Sequence, residues 1–392
     1  MFKKRGEKEN FSSLLVAITT LIGTIIGAGI LGIPYVVAKA GVLYGLLLII
    51  LFGCAFLFLN LALGEVVLRT KGLHQLPGYA EKYLGSVGKK IMMLTMPITI
   101  YGALTAYLIG EGEIGTTLLS FAPAWVWSLV LFVVASYVVA RGIKTMSRIE
   151  FILIILFLVV TVVLAFFSFR SFDATHFTSI NPLFLALPYG VILFSYLGAA
   201  AIPEIHEELK GKEYFLKKAI IIGSLVPIVV YLLFTVAIIG IVGVEEFELL
   251  EPNHRIATIA LSVYATPALG VLANLLAILS MFTSFLTLGT ALVQMYTQDL
   301  HLSKNLALIL TLSIPAVLAF SGFTTFITIL GLTGALAGGF EGILILLMHI
   351  KAKKIGVKKP EYTLKSYWYL TWTMVTMFLM GILHQIWVFV LS

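Results

Sequence analysis

The sequence predicts an all-α polytopic membrane protein of about eleven transmembrane helices, with two inverted repeats of five helices and one extra helix. The first observation behind this prediction is composition: 60% of the 392 residues are hydrophobic and 11% are charged. Soluble domains contain roughly 25% charged residues. The second observation is an uneven distribution of lysine and arginine among the loops. The third is a pair of interrupted apolar segments at corresponding places in the two halves of the chain.

Apolar segments of roughly 20 residues, the length that crosses a bilayer, follow one another along the chain. They lie near residues 11–38, 41–69, 90–119, 123–140, 148–169, 183–203, 215–243, 267–297, 303–320, 324–349 and 367–391, with room for a short interfacial helix at 72–84. We therefore expect one transmembrane domain over residues 1–392, in which the first repeat covers 11–171, the second covers 183–349 and the last helix covers 367–391. Cys54 is the only cysteine, so no intramolecular disulfide can form.

Positive charge alternates between successive loops. If the N-terminus is cytoplasmic, 23 of the 26 lysines and arginines lie in the N-terminal tail or in cytoplasmic loops, and only Lys39, Arg170 and Arg255 lie elsewhere. Positive residues are enriched on the cytoplasmic side of membrane proteins. We therefore expect a multi-pass protein of the cell (cytoplasmic) membrane, with a cytoplasmic N-terminus and an extracellular C-terminus. The net charge of +7 then reflects this bias and does not indicate a nucleic-acid partner.

The first apolar segment is interrupted at its middle by the sequence GTIIGAGILGIP, residues 23–34. Each glycine weakens a helix by roughly 1 kcal/mol relative to alanine, and the proline removes a backbone donor. Inside a bilayer, backbone groups freed in this way must bind protein or line a cavity. We therefore expect residues 23–29 to be unwound and to offer N–H and C=O groups to a ligand.

A second interruption occurs in the sixth segment, where FSYLG leads to Ile202 and Pro203. Gly29 precedes Pro34 by five residues, as Gly198 precedes Pro203, and the two copies are 169 residues apart. The sixth segment comes five segments after the first, an odd number, so the two copies enter the membrane from opposite sides. Paired interruptions in inverted halves are typical of secondary transporters with a site at the membrane midplane. Coincidence, or simple helix packing through Gly23-x-x-x-Gly27, is the alternative.

The stretch GTIIGAGILGIPYVVAKAGVLYG, with AYLIGEGE in the third segment and FSYLGAAAIPEI in the sixth, resembles the amino acid/auxin permease family. That family belongs to the amino acid–polyamine–organocation superfamily and has the leucine-transporter fold. The resemblance covers the whole chain and implies that helices 1 and 6 are unwound at mid-membrane. It also implies a substrate with an amino acid backbone, but neither a particular side chain nor a particular coupling ion.

The unwound segments suit a zwitterionic substrate. The half-helix after the first break starts with unpaired N–H groups and a positive dipole end near Gly27, Ala28 and Gly29, which suits a carboxylate. The half-helix before each break ends in carbonyls, which suit an ammonium group. The resemblance carries the substrate site over to Thr24, Gly27, Gly29, Phe194, Ser195 and Gly198. We expect the Tyr101 hydroxyl to close the pocket, and Tyr107 is the competing candidate.

A candidate ion site lies in the eighth segment, where Ser280, Thr283 and Ser284 share one helical face. Oxygen ligands without a carboxylate suit a monovalent cation. In sodium-coupled members of the superfamily, carbonyls of the first helix and this face of the eighth bind the ion. The matching positions are Gly23, Ile26, Ser280, Thr283 and Ser284. The alternative is that these hydroxyls only bond to the preceding helical turn.

Proton coupling is the main alternative to sodium. Some relatives have a lysine in the fifth segment in place of the ion, and residues 151–169 contain none. Acidic residues inside a bilayer are candidates for function because they are costly to bury. We expect Glu65 to face the broken helices as a structural or gating acid, and we take Glu341 as the proton-site candidate. Glu111 and Glu113 should lie near an outer end, where water can solvate them.

These features together predict a symporter that moves amino acids across the membrane by alternating access, with Na⁺ as the coupling ion. An H⁺-coupled symporter is the alternative, and a non-transporting amino acid sensor with the same pocket is less favoured. Metal-ligand spacing of histidines and the common enzyme motifs are absent from the sequence. We therefore expect no enzyme activity, no cofactor and no metal beyond Na⁺. The expected partners are an amino acid substrate and membrane lipid, with no nucleic acid and no obligate protein partner, so we expect a monomer.

Overall fold

The computed structural model describes residues 2–142, 147–168, 180–298, 300–365 and 368–391, and all regular elements in these ranges are helical. The α-helices are α1 (Phe2–Ile25), α2 (Gly29–Ala40), α3 (Val42–Leu68), α4 (Leu76–Leu118), α5 (Ala124–Arg141), α6 (Ser147–Ser168), α7 (Leu187–Ser195), α8 (Ala201–Glu208), α9 (Leu216–Val242), α10 (Glu246–Leu249), α11 (Ala257–Tyr264), α12 (Pro267–Gln298), α13 (Lys304–Phe320), α14 (Phe326–Thr333), α15 (Gly339–Ile355) and α16 (Trp368–Leu391). A π-helical segment (Gly334–Gly338) joins α14 to α15. The predicted all-α class is confirmed.

Within the described residues, seven helices are long and apolar enough to cross a membrane, and the bent pair α1–α2 makes an eighth candidate span. The predicted count of eleven is not confirmed. The described apolar part of α6 (Ile155–Phe166) and all of α13 are shorter than 18 residues, and α7 and α8 are separate short helices. Residues 169–171 and 367, which include predicted repeat and helix boundaries, lie outside the described residues, so the repeat boundaries stay a prediction.

Two helices of the fold are interrupted at the places where the sequence predicts it. The first interruption separates α1 from α2 at residues 26–28 and bends the chain by 51°. It is shorter than the predicted unwound segment 23–29, because residues 23–25 continue α1 and Gly29 already begins α2. The second separates α7 from α8 at residues 196–200. A third irregularity is the π-helical segment, a type of distortion often found at functional sites. Within residues 72–84, where the sequence leaves room for a short interfacial helix, the chain is helical from Leu76 up to a sharp kink at Gly85, whose φ of 74° is not helical and separates this short helix from the long remainder of α4.

The interrupted helices lie inside the bundle, and the outer helices expose apolar side chains. Helix α9 packs against α1, α2, α3 and α6, and α7 packs against α2 and α14. By contrast, α5 exposes Val130, Val133 and Val134, as expected for a helix in contact with lipid. The fold therefore places the two breaks in the protein interior and leaves apolar side chains exposed on the outer helices.

Candidate functional site

The backbone hydrogen bonds of the first break differ from those of a continuous helix. In a continuous helix the Gly27 N–H would donate to the Gly23 carbonyl, but here it donates to the Ile25 carbonyl at 3.0 Å. The Gly23 carbonyl is thereby released for another partner. On the other side, α2 begins at Gly29, and the first N–H groups of a helix have no acceptor within it. The break therefore presents a free carbonyl at one end and free N–H groups at the other.

The second break is held by two short turns. The Leu197 N–H donates to the Phe194 carbonyl at 3.1 Å, and the Ala201 N–H donates to the Gly198 carbonyl at 3.1 Å. Its backbone packs tightly on the π-helical segment: a Cβ added at Gly334 would lie 1.9 Å from the Gly190 carbonyl oxygen and 2.6 Å from the Phe194 nitrogen. Because only glycine fits at that position, the π-helical segment supports the end of α7 directly.

The two breaks contact each other in a reciprocal way through glycines. A Cβ on Gly29 would lie 2.4 Å from Ser195 Oγ, and a Cβ on Gly198 would lie 2.5 Å from Ile25 Cγ1. Ile25 is the last residue of α1 and Ser195 is the last residue of α7. Each glycine therefore packs on the end of the other interrupted helix. This contact brings Gly29, Ser195 and Gly198 of the predicted substrate site together.

The other predicted substrate residues lie around the same breaks. Ala28 and Phe194 are buried, and Thr24 and Gly27 are half-buried. The Thr24 hydroxyl donates to the Thr20 carbonyl at 2.8 Å, and the Ser195 hydroxyl donates to the Val191 carbonyl at 2.7 Å. A hydroxyl that donates its proton to its own helix keeps its oxygen lone pairs, so both side chains remain able to accept a hydrogen bond.

The tyrosine beside the first break is Tyr107. Its hydroxyl lies 3.2 Å from the position that a Cβ on Gly27 would take, and it is within hydrogen-bonding reach of the Ser284 side chain. The Tyr101 hydroxyl instead lies 2.5 Å from the hydroxyl of Tyr296 on α12. Of the two candidates, the structure brings Tyr107 to the break and places Tyr101 in a separate contact.

A residue that the sequence analysis did not select, Tyr231 of α9, contacts both breaks. Its hydroxyl lies 2.8 Å from the Ile25 carbonyl oxygen and 2.6 Å from the Ser195 carbonyl oxygen. The side chain is fully buried. A tyrosine in the middle of an apolar segment ordinarily indicates packing, so the sequence held no signal for this contact.

All five predicted cation ligands line one small cavity. The cavity has a volume of about 30 Å³ and is lined by Gly23, Ile26, Leu153, Phe157, Ser280, Thr283 and Ser284. A cavity of roughly 10–15 Å³ is enough for one water molecule, so the volume fits a small ion that has lost most of its hydration shell. Leu153 and Phe157 supply an apolar wall from α6.

The oxygen atoms of this cavity are neutral. The Thr283 hydroxyl donates to the Ser280 carbonyl at 3.0 Å, so the back-bonding expected of hydroxyls in spanning helices is present here. The lone pairs of that hydroxyl and the released carbonyl of Gly23 remain available to a cation. Among the described residues there is no group of three or more His, Cys, Asp or Glu side chains that could hold a metal ion. The donor set therefore fits a monovalent cation better than a divalent one.

Glu65 lies at one end of α3, where it is fully buried. Its carboxylate accepts hydrogen bonds from Arg69 Nε at 2.8 Å, the Leu364 N–H at 2.8 Å and His349 Nε2 at 2.9 Å. We expected Glu65 to face the freed N–H groups of the broken helices, but in the structure its hydrogen-bond partners are Arg69, His349 and Leu364. Helix α15 packs along α3 and the loop after α15 folds back across its end, so these elements supply the partners. The contacts fit the structural part of the predicted role.

The remaining acids differ in their surroundings. Glu341 is buried in the first turn of α15, directly after the π-helical segment. Glu113 accepts a hydrogen bond from Asn253 Nδ2 at 2.9 Å. Glu111 is 1% exposed and its Oε1 has no partner within the described part of the chain. The expectation that water solvates Glu111 therefore differs from the structure, because its side chain is buried in the bundle.

Comparisons of the sequence with known proteins identify a family and several relatives. A sequence model of the tryptophan/tyrosine permease family matches residues 10–388. The tyrosine-specific transport system 1 of Haemophilus influenzae is 25% identical over 388 residues, covering 95% of this chain and 94% of that protein. Glutamine transporter 2 of Aliivibrio fischeri is 22% identical over 375 residues, covering 91% of this chain and 92% of that protein.

The fold also matches a solved structure. The crystal structure of MhsT in complex with L-phenylalanine superposes with a TM-score of 0.68 at 16% sequence identity, covering 95% of this chain and 97% of MhsT. The leucine-transporter fold is thus confirmed, whereas the amino acid/auxin permease family name is not. Because the family model spans nearly the whole chain, this integral membrane protein belongs to the tryptophan/tyrosine permease family and is an amino acid transporter rather than an enzyme.

Proposed function

We propose that this protein is a symporter that moves an aromatic amino acid across the cell membrane by alternating access, with Na⁺ as the coupling ion. The observation that carries the proposal is the reciprocal contact of the two breaks, in which Gly29 meets Ser195 and Gly198 meets Ile25. Discontinuous helices that meet in this way form substrate sites in transporters. The family and the tyrosine-specific relative support an aromatic substrate, and the glutamine transporter makes glutamine the second substrate to test.

The backbone of the breaks can hold the charged ends of such a substrate. The first N–H groups of α2, at Gly29 and Ile30, and the Tyr107 hydroxyl are suited to the carboxylate. The ammonium group requires hydrogen-bond acceptors. Its candidates are those carbonyls of the two breaks that accept no hydrogen bond from the protein. The ring of Phe194, which is buried near the end of α7, is the candidate apolar surface for the substrate side chain.

Coupling between cation and substrate is expected because the first break contributes residues to both sites. Gly23 and Ile26 line the cation cavity, and Gly27 and Gly29 of the same break belong to the candidate substrate site. A cation that binds only one conformation of this break shifts the equilibrium by its differential affinity for the two states. Tyr107 adds a second connection, because it reaches both Gly27 and Ser284. Cation and substrate would therefore stabilise one arrangement of the first break together.

Proton coupling remains the second candidate, and one specific observation favours it. Glu111 is buried with an unpartnered Oε1 and lies one helical turn from Tyr107. A carboxyl group in such a position can exchange a proton between conformations of the bundle. Glu341, buried beside the π-helical segment, is the other acid to test.

The test is uptake of labelled tyrosine, tryptophan and glutamine into proteoliposomes under separately imposed Na⁺ and H⁺ gradients. The proposal predicts accumulation of tyrosine or tryptophan under the Na⁺ gradient alone. Accumulation under the H⁺ gradient alone would refute sodium coupling and direct attention to Glu111 and Glu341. Binding without flux under either gradient would favour a sensor.

The orientation of the chain is part of the same proposal. The charge distribution supports a cytoplasmic N-terminus and an extracellular C-terminus. Single cysteines introduced near each terminus of a Cys54→Ser variant should react with an impermeant maleimide on intact cells at the C-terminus only. Labelling at the N-terminus would reverse the assignment.

A further inference from the structure

The hydroxyl of Tyr231 lies at a point where both interrupted helices end. It is 2.8 Å from the carbonyl oxygen of Ile25, the last residue of α1. It is 2.6 Å from the carbonyl oxygen of Ser195, the last residue of α7. Both carbonyls belong to helix ends, where no intrahelical donor is available and the dipole is negative. A single side chain therefore serves the ends of two helices that are 170 residues apart in the sequence.

We propose that Tyr231 is a positioning residue that ties the two breaks together and so sets the geometry of the substrate site. The hydroxyl has one proton, which the two carbonyls share as a three-centre bond or take in turn. The arrangement keeps two negative helix ends close to each other in a fully buried environment. Without the Tyr231 hydroxyl, the Ser195 carbonyl loses its donor and the Ile25 carbonyl keeps only the Gly27 N–H, so the helix ends move apart.

The two hydrogen bonds of Tyr231, to the Ile25 and Ser195 carbonyls, are called the tether below. The residues that the tether holds contact the substrate site directly. Ile25 packs on Gly198, and Ser195 packs on Gly29. A displacement of either carbonyl that Tyr231 holds therefore displaces one of the glycines at which the substrate is proposed to bind. This inference rests on the proposed function, because it concerns the affinity of the same site.

The ring of Tyr231 is itself fixed in place. It packs on the ring of Tyr196 within the second break, with 5.1 Å between the ring centroids. The Tyr196 hydroxyl in turn donates to the Ile49 carbonyl of α3 at 2.9 Å. The position of the Tyr231 hydroxyl is thus determined by α3 and α9, which gives both breaks a common reference in the surrounding bundle.

The test compares Tyr231→Phe with Tyr362→Phe in full-length protein. Tyr362 is a matched control, because its buried hydroxyl also donates to a backbone carbonyl of a helix, that of Leu61 in α3, at 2.7 Å but contacts neither break. The dissociation constant for tyrosine is measured on purified protein in detergent, together with the melting temperature. We expect Tyr231→Phe to raise the dissociation constant about tenfold and Tyr362→Phe to change it less than about twofold. A Tyr231→Phe protein that binds tyrosine as tightly as wild type would overturn the proposal.

Hydrogen exchange supplies a second measurement that a general loss of stability does not imitate. Tyr231→Phe should increase amide exchange at residues 26–30 and 196–201 together, whereas Tyr362→Phe should not. Faster exchange at one break only would contradict a shared tether. If Tyr231→Phe does not fold, wild-type protein with added tyrosine decides the question. In that case, added tyrosine must slow amide exchange at both breaks in parallel.

Failure of the tether and failure of the proposed function are distinguishable. Binding in detergent needs neither an ion gradient nor flux, so a negative uptake experiment leaves the tether untouched. Wild-type protein that binds no amino acid contradicts the proposed function, and the exchange pattern of Tyr231→Phe then tests the tether alone.

Discussion

Gly29→Ala should weaken substrate binding strongly, because the new Cβ has no space. It would lie 2.4 Å from Ser195 Oγ and 2.7 Å from Ser195 Cα. The Cα atom cannot rotate away, so α2 must move relative to α7. Overpacking of this kind costs about 1–3 kcal/mol. If that cost falls on the bound arrangement of the breaks, the affinity for tyrosine decreases by about 5- to 150-fold.

Two further glycines turn this prediction into an ordered series. Gly27→Ala places its Cβ 3.2 Å from the Tyr107 hydroxyl, a tight contact with a side chain that can yield. Gly331→Ala in α14 has only an ordinary contact of 3.8 Å with Val191, and alanine is the better helix former there. We expect affinity losses in the order Gly29→Ala, Gly27→Ala, Gly331→Ala, with no loss for the last.

The assay is equilibrium binding of labelled tyrosine to purified protein, with melting temperatures measured in parallel. A Gly29→Ala protein that folds and binds tyrosine with wild-type affinity would refute the close contact of the two breaks. An equal loss for Gly331→Ala would show that glycine replacement acts through general stability, and the reasoning from distances would then be wrong.

The remaining predictions concern polar contacts around the breaks. Tyr107→Phe should weaken both tyrosine binding and the response to Na⁺, because its hydroxyl faces Gly27 and Ser284. Tyr101→Phe should leave both nearly unchanged, since its hydroxyl contacts Tyr296; equal effects of the two variants would contradict this assignment. Glu65→Ala should destabilise the protein by about 3–5 kcal/mol, because Arg69, His349 and the Leu364 N–H lose their common acceptor. Chemical unfolding measures this loss. Glu81 forms an exposed pair with Lys89, so Glu81→Ala is the control, and a Glu65→Ala protein as stable as this control would contradict a structural role.

The interruptions were predictable from the sequence because their causes are local. Glycine and proline weaken a helix wherever it lies, so the breaks near Gly27 and Gly198 follow from the chain itself. The cation face is also local, because Ser280, Thr283 and Ser284 lie on one side of any regular helix. The sequence did not indicate that Leu153 and Phe157 of α6 would close the same cavity.

The contacts that were missed depend on how distant helices are rotated against each other. The Tyr101 hydroxyl contacts Tyr296 of α12, whereas the Tyr107 hydroxyl lies beside Gly27, and only the packing of the helices decides which of them reaches the first break. The partners of Glu65 include residues almost 300 positions away. Tyr231 carried no sequence signal, since its contacts are backbone carbonyls that any residue could supply.

The central claim is that a cation in the cavity between α1 and α12 and an amino acid in the breaks stabilise each other. The most direct measurement is the dissociation constant for tyrosine in Na⁺ and in choline, for wild type, for Thr283→Ala with Ser284→Ala, and for Thr297→Ala. Thr297 lies on the same helix outside the cavity and donates to Val293, so it is the control. We predict that Na⁺ tightens binding about tenfold in wild type and in Thr297→Ala but has no effect in the double variant. A wild-type affinity that is the same in both salts, or a double variant that keeps the full Na⁺ effect, would contradict the account.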